Sequence, residues 1–214
     1  MDDDEREQAL VVAFSSERSS LQAAYTGTIT EANGRLSGFL AVLSAAIIGL
    51  GLVAGKSALV WPFLATVLPI VLILGEFTFL RLAQTMTESD LLAVRIQQVR
   101  AWYRDHLMPD DGYFAEVAPT GQSASEATWT DVGVKPRWWQ FLLTAAATVG
   151  AINALLFGAG LTIALAAAGV TLPVAVVVGV AGVSTFFAAH LIYIMRGVPT
   201  FRRGDSPRDT FPPE

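Results

Sequence analysis

The chain has 214 residues, of which 53% are hydrophobic and 15% are charged, and its formal net charge is −5. Soluble domains carry roughly 25% charged residues, so the composition is typical of a membrane protein. An acidic chain lacks the basic surface that nucleic-acid binding needs, which excludes a nucleic acid as partner. Because cysteine is absent, disulfide and thiolate chemistry are excluded as well.

The first segment, residues 1–35, opens with MDDDEREQ, which is acidic where a secretory signal peptide is positive. We therefore expect no signal peptide. Apolar residues then recur close to helical spacing, at Leu10, Phe14, Leu21, Tyr25 and Ile29. The pattern predicts an amphipathic cytoplasmic helix that either lies on the bilayer surface or packs against another helix. It runs on into the next segment unless it breaks near Asn33-Gly34.

Two long blocks are almost free of charge. Between residues 36 and 80 the formal charges are Lys56 and Glu76, and between residues 138 and 195 there are none. A bilayer core of ~30 Å needs about 20 apolar residues per helix, so each block is long enough for two crossings. We predict an all-α integral membrane protein with four transmembrane helices arranged as two hairpins. The predicted helices cover residues 36–54, 58–80, 138–160 and 172–195.

The turn of the first hairpin contains the sequence GLGLVAGKS, residues 49–57, which partly matches two nucleotide-binding fingerprints. A phosphate-binding loop that ends in Gly55-Lys56-Ser57 needs glycine at position 50, and that residue is Leu50. Both fingerprints also need a preceding strand and a helix whose N-terminus faces the phosphates. Here a membrane helix stands on each side. We therefore interpret the glycines as turn and packing residues and predict no cofactor.

The second membrane helix is predicted to start at Trp61-Pro62, because proline suits a first helical turn and tryptophan suits a membrane interface. Its apolar pattern continues through residues 81–108 and predicts a cytoplasmic helix that ends before Pro109, unless it breaks near residues 85–87. Residues 109–137 are rich in Gly, Pro, Ser and acids, which predicts a flexible cytoplasmic linker. The tail, residues 196–214, has the composition of a disordered segment.

The positive charges predict the orientation in the membrane. Every lysine and arginine except Lys56 lies in the N-terminal segment, in the central segment between the hairpins, or in the tail. Cytoplasmic loops carry the excess of positive residues. Both termini and the central segment are therefore expected in the cytoplasm, with the four helices in the inner (plasma) membrane of a bacterial cell.

Four residues are candidate polar sites. Glu76 lies near the cytoplasmic end of the second helix, level with residues close to Arg35, so an interfacial Glu76–Arg35 ion pair is one hypothesis. The alternative hypotheses for Glu76 are an acid in an ion path or gate, and simple exposure to interfacial water. Asn153 and His190 lie at similar levels of the second hairpin. This placement predicts a hydrogen bond between them, with proton sensing by His190 as the alternative.

Small residues and one proline suggest packing and bending sites in the membrane helices. Pro69 lacks the N–H that would bond to the Ala65 carbonyl, so it predicts a kink that is either structural or a gating hinge. Spacings that allow close helix approach occur at Gly34/Gly38, Gly158/Thr162 and Gly179/Gly182. No catalytic triad, metal site or carboxylate dyad is recognisable, so we expect no enzyme.

The first half has a layout that is familiar from other proteins. A helix with Tyr25 and the run EANGR, residues 31–35, leads into a hairpin that exits through FLRL, residues 79–82, and IQQVRAWY, residues 96–103. Residues 10–108 thereby resemble small bacterial multi-pass membrane proteins and, more loosely, SLATT-type two-helix membrane effectors. The resemblance implies that the cytoplasmic helices transmit a signal and that the hairpin assembles and breaches the membrane.

These features favour a non-enzymatic, homo-oligomeric membrane effector or pore subunit that is controlled from the cytoplasm. One alternative is a membrane scaffold that recruits a cytoplasmic protein partner. Another is a small transporter subunit with Glu76 or His190 on its pathway. In each case the expected partners are the lipid bilayer and further copies of the chain.

Overall fold

The computed structural model describes residues 3–106 and 142–197, and the ordered elements of these residues are helical. Four long helices account for nearly all of them: α1 (Asp3–Val53), α2 (Ser57–His106), α3 (Ala145–Ala167) and α4 (Leu172–Gly197). Each is long and apolar enough to cross a membrane. The prediction of an all-α protein with four such helices is confirmed.

The described residues fall into two compact units. The first contains residues 3–33 and 84–106, and the second contains residues 34–83 and 142–197. The helices α1 and α2 contribute to both units, whereas α3 and α4 belong to the second. The predicted linker at 109–137 and the tail beyond Gly197 lie outside the described residues.

The helix α1 continues through Asn33-Gly34, so the break considered at this dipeptide does not form. A glycine inside a helix costs only about 1 kcal/mol relative to alanine. Upstream of it, the hydroxyls of Thr26 and Thr30 donate to the carbonyls of Gln22 and Thr26, each at 3.0 Å, and so are satisfied within the helix. The small glycine penalty is therefore not enough to end so long a helix.

The helix α2 begins at Ser57, one residue before the predicted range of 58–80 and earlier than the start at Trp61-Pro62 that these two residue types suggested. The Lys56 carbonyl accepts from the N–H of Leu59 at 2.8 Å and of Val60 at 3.3 Å, so a first turn closes before Pro62. Pro62 and Pro69 both lie inside the helix, which also continues through residues 85–87. The break considered at those residues does not form.

The helix α3 is shifted towards the C-terminus from the predicted 138–160. Thr144 is its N-cap, with extended backbone and a side-chain Oγ1 that accepts from the Ala147 N–H at 3.2 Å. At the other end Gly169 has a φ of 86°, and Val170 N–H donates to Leu165 O at 3.0 Å. This is the hydrogen bond of a Schellman motif, which ends the helix at a residue that can adopt positive φ.

Within the first unit, the N-terminal part of α1 packs against the C-terminal part of α2. The ring of Phe14 stacks on Trp102 with centroids 4.0 Å apart, and the Tyr103 hydroxyl lies 3.5 Å from the Val11 carbonyl. Leu21 is buried in the same unit. Of the two arrangements considered for the N-terminal helix, packing against another helix is the one formed here.

Within the second unit, α3 and α4 approach closely at small residues. A Cβ added at Gly158 would lie 2.7 Å from the Gly179 carbonyl oxygen, and one at Gly179 would overlap the Thr162 hydroxyl. Phe157 and Phe186 stack nearby, with ring centroids 4.7 Å apart. Gly38, in contrast, has no neighbour within 4 Å of an added Cβ. The glycines of the second pair of helices therefore pack against a neighbour, whereas Gly38 faces open space.

This difference predicts opposite effects for the same substitution. Gly158→Ala should lower the free energy of unfolding by about 1–3 kcal/mol, because the new methyl meets a backbone carbonyl that cannot move away easily. Gly38→Ala should be neutral or stabilising by up to about 1 kcal/mol, because alanine is the better helix former. Unfolding of both purified variants in mixed detergent micelles measures the difference. Equal effects would contradict the described packing of α3 on α4.

Candidate functional site

Three polar side chains from three helices of the second unit meet at one oxygen atom. Asn153 of α3 donates from Nδ2 to Oε1 of Glu76 of α2 at 2.8 Å. His190 of α4 places Nε2 at 3.1 Å from the same Oε1. We refer to Glu76, Asn153 and His190 as the Glu76 cluster. The cluster joins α2 to both helices of the second apolar block.

Two glycines make room for the side chains of the cluster. A Cβ at Gly75 would overlap the Asn153 amide, so the absence of a side chain next to Glu76 lets this amide reach the carboxylate. A Cβ at Gly150 would lie 3.1 Å from Cδ2 of the His190 ring. Both positions are therefore part of the site, although neither carries a functional group.

The helices α2 and α3 fit together at two such positions. Asn153 of α3 fills the space at Gly75, and Leu68 of α2 fills the space at Gly160, where an added Cβ would lie 2.6 Å from Leu68 Cδ2. Leu68 lies two helical turns before Gly75 in α2, and its partner Gly160 lies two helical turns after Asn153 in α3. The two helices are therefore antiparallel at this contact, and each inserts one side chain into the other.

The cluster is closed on the α3 and α4 sides and open at Glu76. Asn153 is 0% exposed and His190 is 5% exposed, whereas 36% of the Glu76 side chain is exposed. Phe79 and Phe186 border the imidazole, with ring centroids at 4.1 and 4.8 Å from its own. In such apolar surroundings a hydrogen bond is stronger, and an unmatched polar atom costs more, than in water.

One atom of the cluster has no hydrogen-bond partner among the described residues. It is Oδ1 of Asn153, which is buried. The opposite orientation of the amide would place Oδ1 against Oε1 of Glu76, so the assignment of Nδ2 as the donor follows from the hydrogen bonding. A buried acceptor without a partner costs about 1–3 kcal/mol.

The structure changes the pairing that the sequence suggested. It brings Glu76, Asn153 and His190 together, but Asn153 and His190 are linked through the Glu76 carboxylate rather than to each other. The polar contacts that the structure gives for Glu76 are with these two side chains rather than with Arg35, the partner proposed from the sequence. Glu76 lies on the face of α2 that meets α3 and α4. The position of a residue along a hairpin does not reveal on which face of the helix it lies.

The remaining candidate, Pro69, lies two turns before Glu76 in α2 and does not interrupt the helix. Its role as a hinge stays a prediction. Sequence reasoning missed Gly75, Gly150 and the two phenylalanines. The available signal was Gly75 itself, a residue without a side chain next to a carboxylate in an apolar helix.

Comparisons with protein family models, with curated proteins and with solved structures find no match for this chain. The residues that the structure describes contain no group of three or more His, Cys, Asp or Glu side chains that could hold a metal ion. The Glu76 cluster is therefore interpreted from its own geometry. Its polar groups can exchange hydrogen bonds and a proton.

The shared oxygen predicts a measurable coupling between two substitutions. Glu76→Met and Asn153→Ala should each destabilise the protein, and their coupling energy should be on the order of 0.5–3 kcal/mol, because both remove the same hydrogen bond. The matched control combines Glu76→Met with Arg35→Met, which should be additive within about 0.5 kcal/mol. Unfolding free energies of the purified variants give both values. A larger coupling to Arg35 than to Asn153 would contradict the site as described.

Proposed function

We propose that the protein is a non-enzymatic, homo-oligomeric membrane effector or pore subunit, controlled from the cytoplasm. The observation that carries this proposal is the open side of Glu76. Its side chain is 36% exposed, and the exposed residues around it on α2 are apolar: Ile73, Phe77 and Leu80. A carboxylate beside lipid is costly, so such residues face a water-filled cavity or another protein surface. A neighbouring copy of the chain provides such a protein surface, and a pore between copies provides such a cavity.

The uncovered surface of the helices supports self-association. In the most apolar stretch of α1, 6% of the residues are buried within the chain, and the values for α2, α3 and α4 are 11%, 28% and 11%. One chain therefore leaves most of its apolar helix surface to lipid or to further copies. The resemblance of residues 10–108 to SLATT-type effectors points the same way, because such effectors are thought to act by assembling.

The proposed topology has two transmembrane hairpins with both termini and the central segment in the cytoplasm. The distribution of lysine and arginine supports it, since all of them except Lys56 fall in the segments assigned to the inside. Under this topology the first unit, with its Phe14–Trp102 stack, is the cytoplasmic part that receives a signal or binds a partner protein. The membrane is the inner (plasma) membrane of a bacterial cell.

A second candidate is a subunit of a small transporter. The observation that favours it is the contact of two ionisable side chains, Glu76 and His190, inside apolar helices. Ionisable residues at such positions often mark ion pathways and proton relays. Four helices are few for a complete transporter, so this function also needs an oligomer.

The topology predicts which single cysteines can be labelled from outside. Because the natural chain has no cysteine, each introduced thiol is the only target. Cysteines at Ser57 and Thr171 should react with a membrane-impermeant maleimide in intact cells, and those at Ser123 and Ser206 should react only after the membrane is opened. Labelling of Ser123 from outside would contradict the proposed orientation.

The effector function predicts loss of membrane potential on expression. Induction of the natural chain should depolarise cells, as measured with a potential-sensitive dye. The Glu76→Met variant, compared at an equal amount of protein in the membrane, should depolarise cells less, because it removes the polar group from the open side of α2. Unchanged potential with the natural chain would contradict the effector and favour a scaffold. If cells keep their membrane potential but show a pH-dependent flux of solute, the result would favour the transporter.

A further inference from the structure

Both ring nitrogens of His190 face hydrogen-bond acceptors. Nδ1 lies 2.7 Å from the carbonyl oxygen of Phe186, one turn earlier in α4. A carbonyl oxygen can only accept, so at this distance Nδ1 must carry a proton and donate it. The tautomer that remains for a neutral ring has Nε2 as a bare acceptor.

On the other side of the ring, Nε2 lies 3.1 Å from Oε1 of Glu76. The same oxygen already accepts from Nδ2 of Asn153 at 2.8 Å. If the carboxylate were ionised and the imidazole neutral, two lone pairs would face each other in an apolar pocket. Such an arrangement gains nothing and repels, so the observed geometry requires a proton between Oε1 and Nε2.

We infer that Glu76 and His190 form a proton-binding site, in which one proton is held between Oε1 and Nε2. With the proton on Nε2 the pair is a carboxylate and an imidazolium. With the proton on Oε1 it is a carboxylic acid and a neutral imidazole. The two forms have the same atoms and a net charge of zero. Release of the proton to water leaves a carboxylate and an Nδ1–H imidazole, with a net charge of −1.

In this site the charge of the Glu76 carboxylate is neutralised by the shared proton. The helix α3 carries no ionisable side chain. The other ionisable groups described in the second unit are Arg35, Lys56, Arg81, Tyr193 and Arg196. The hydrogen bonds that the structure gives for Glu76 and His190 are with each other, with Asn153 and with the Phe186 carbonyl. A net charge in an apolar helix bundle is costly.

The three residues have different parts in this site. The exposed side of Glu76 is the route by which the proton exchanges, since His190 is 5% exposed and Asn153 is 0% exposed. Asn153 takes up no proton and acts as a positioning residue, because its N–H holds Oε1 towards the ring. When the proton leaves, the contact between α2 and α4 becomes repulsive, whereas the one between α2 and α3 is kept. The proton therefore controls one of the two links.

The inference goes beyond the proposed function and does not depend on it, since it concerns the purified protein. The experiment uses the full chain in lipid nanodiscs. The chain has two histidines, and His106→Gln leaves His190 as the only one. Nitrogen NMR of ¹⁵N-labelled histidine then reports each ring nitrogen separately. While the proton is bound, we expect protonated Nδ1 and an Nε2 that is either protonated or accepts from Oε1–H. On raising the pH, the Nε2 resonance should move to that of an unprotonated nitrogen without a donor, while Nδ1 stays protonated.

The matched control adds Glu76→Gln, which keeps the shape and removes the acid. Its amide N–H can donate to a neutral ring, so Nε2 should remain an unprotonated acceptor over the pH range in which the natural residue releases its proton. Two results would overturn the inference. One is an Nε2 resonance that does not change with pH in the protein that keeps Glu76, which needs no second folded variant to interpret. The other is a His190 titration that is the same with Glu76 present and after Glu76→Gln. Neither result bears on whether expression depolarises cells.

Discussion

In the second unit, α2, α3 and α4 meet at a single acceptor, Oε1 of Glu76, whose two partners lie 77 and 114 residues further along the chain. In lipid, apolar side chains gain little by leaving the bilayer for another helix, because lipid tails are as apolar as leucine. Helix association must therefore come from polar contacts and from close packing at small residues. The Glu76 cluster supplies the first for α2, α3 and α4. The glycines at positions 75 and 150 supply the second at the same place, so polarity and packing support one another.

The number and character of the helices were predictable from the sequence, because depletion of charge over about 20 residues is a strong and local signal. The predicted starts at 58 and 172 lie within one residue of Ser57 and Leu172, but the start of α3 was not predicted. The start of α3 depends on one hydroxyl, that of Thr144, in a segment where many residues could begin a helix. The start of α2 depends on a main-chain acceptor, Lys56 O, which has no sequence signature. Such ends are decided by single hydrogen bonds rather than by the composition of a segment.

The members of the candidate site were also recognisable, since polar residues are rare in apolar segments and Glu76, Asn153 and His190 are conspicuous there. Their pairing was not. Counting residues from a turn gives the height of a side chain along its helix, and this placed Glu76 about one turn from Arg35. It does not give the direction in which the side chain points around the helix axis. That direction depends on which neighbour α2 packs against, which only the three-dimensional arrangement reveals.

The paired insertions between α2 and α3 limit how these helices can move. Leu68 occupies the gap at Gly160, and Asn153 occupies the gap at Gly75, two turns away and in the opposite sense. A small translation of one helix along the other would press both side chains into backbone at the same time. An axial force on α2 is therefore transmitted to α3 through this pair of side chains.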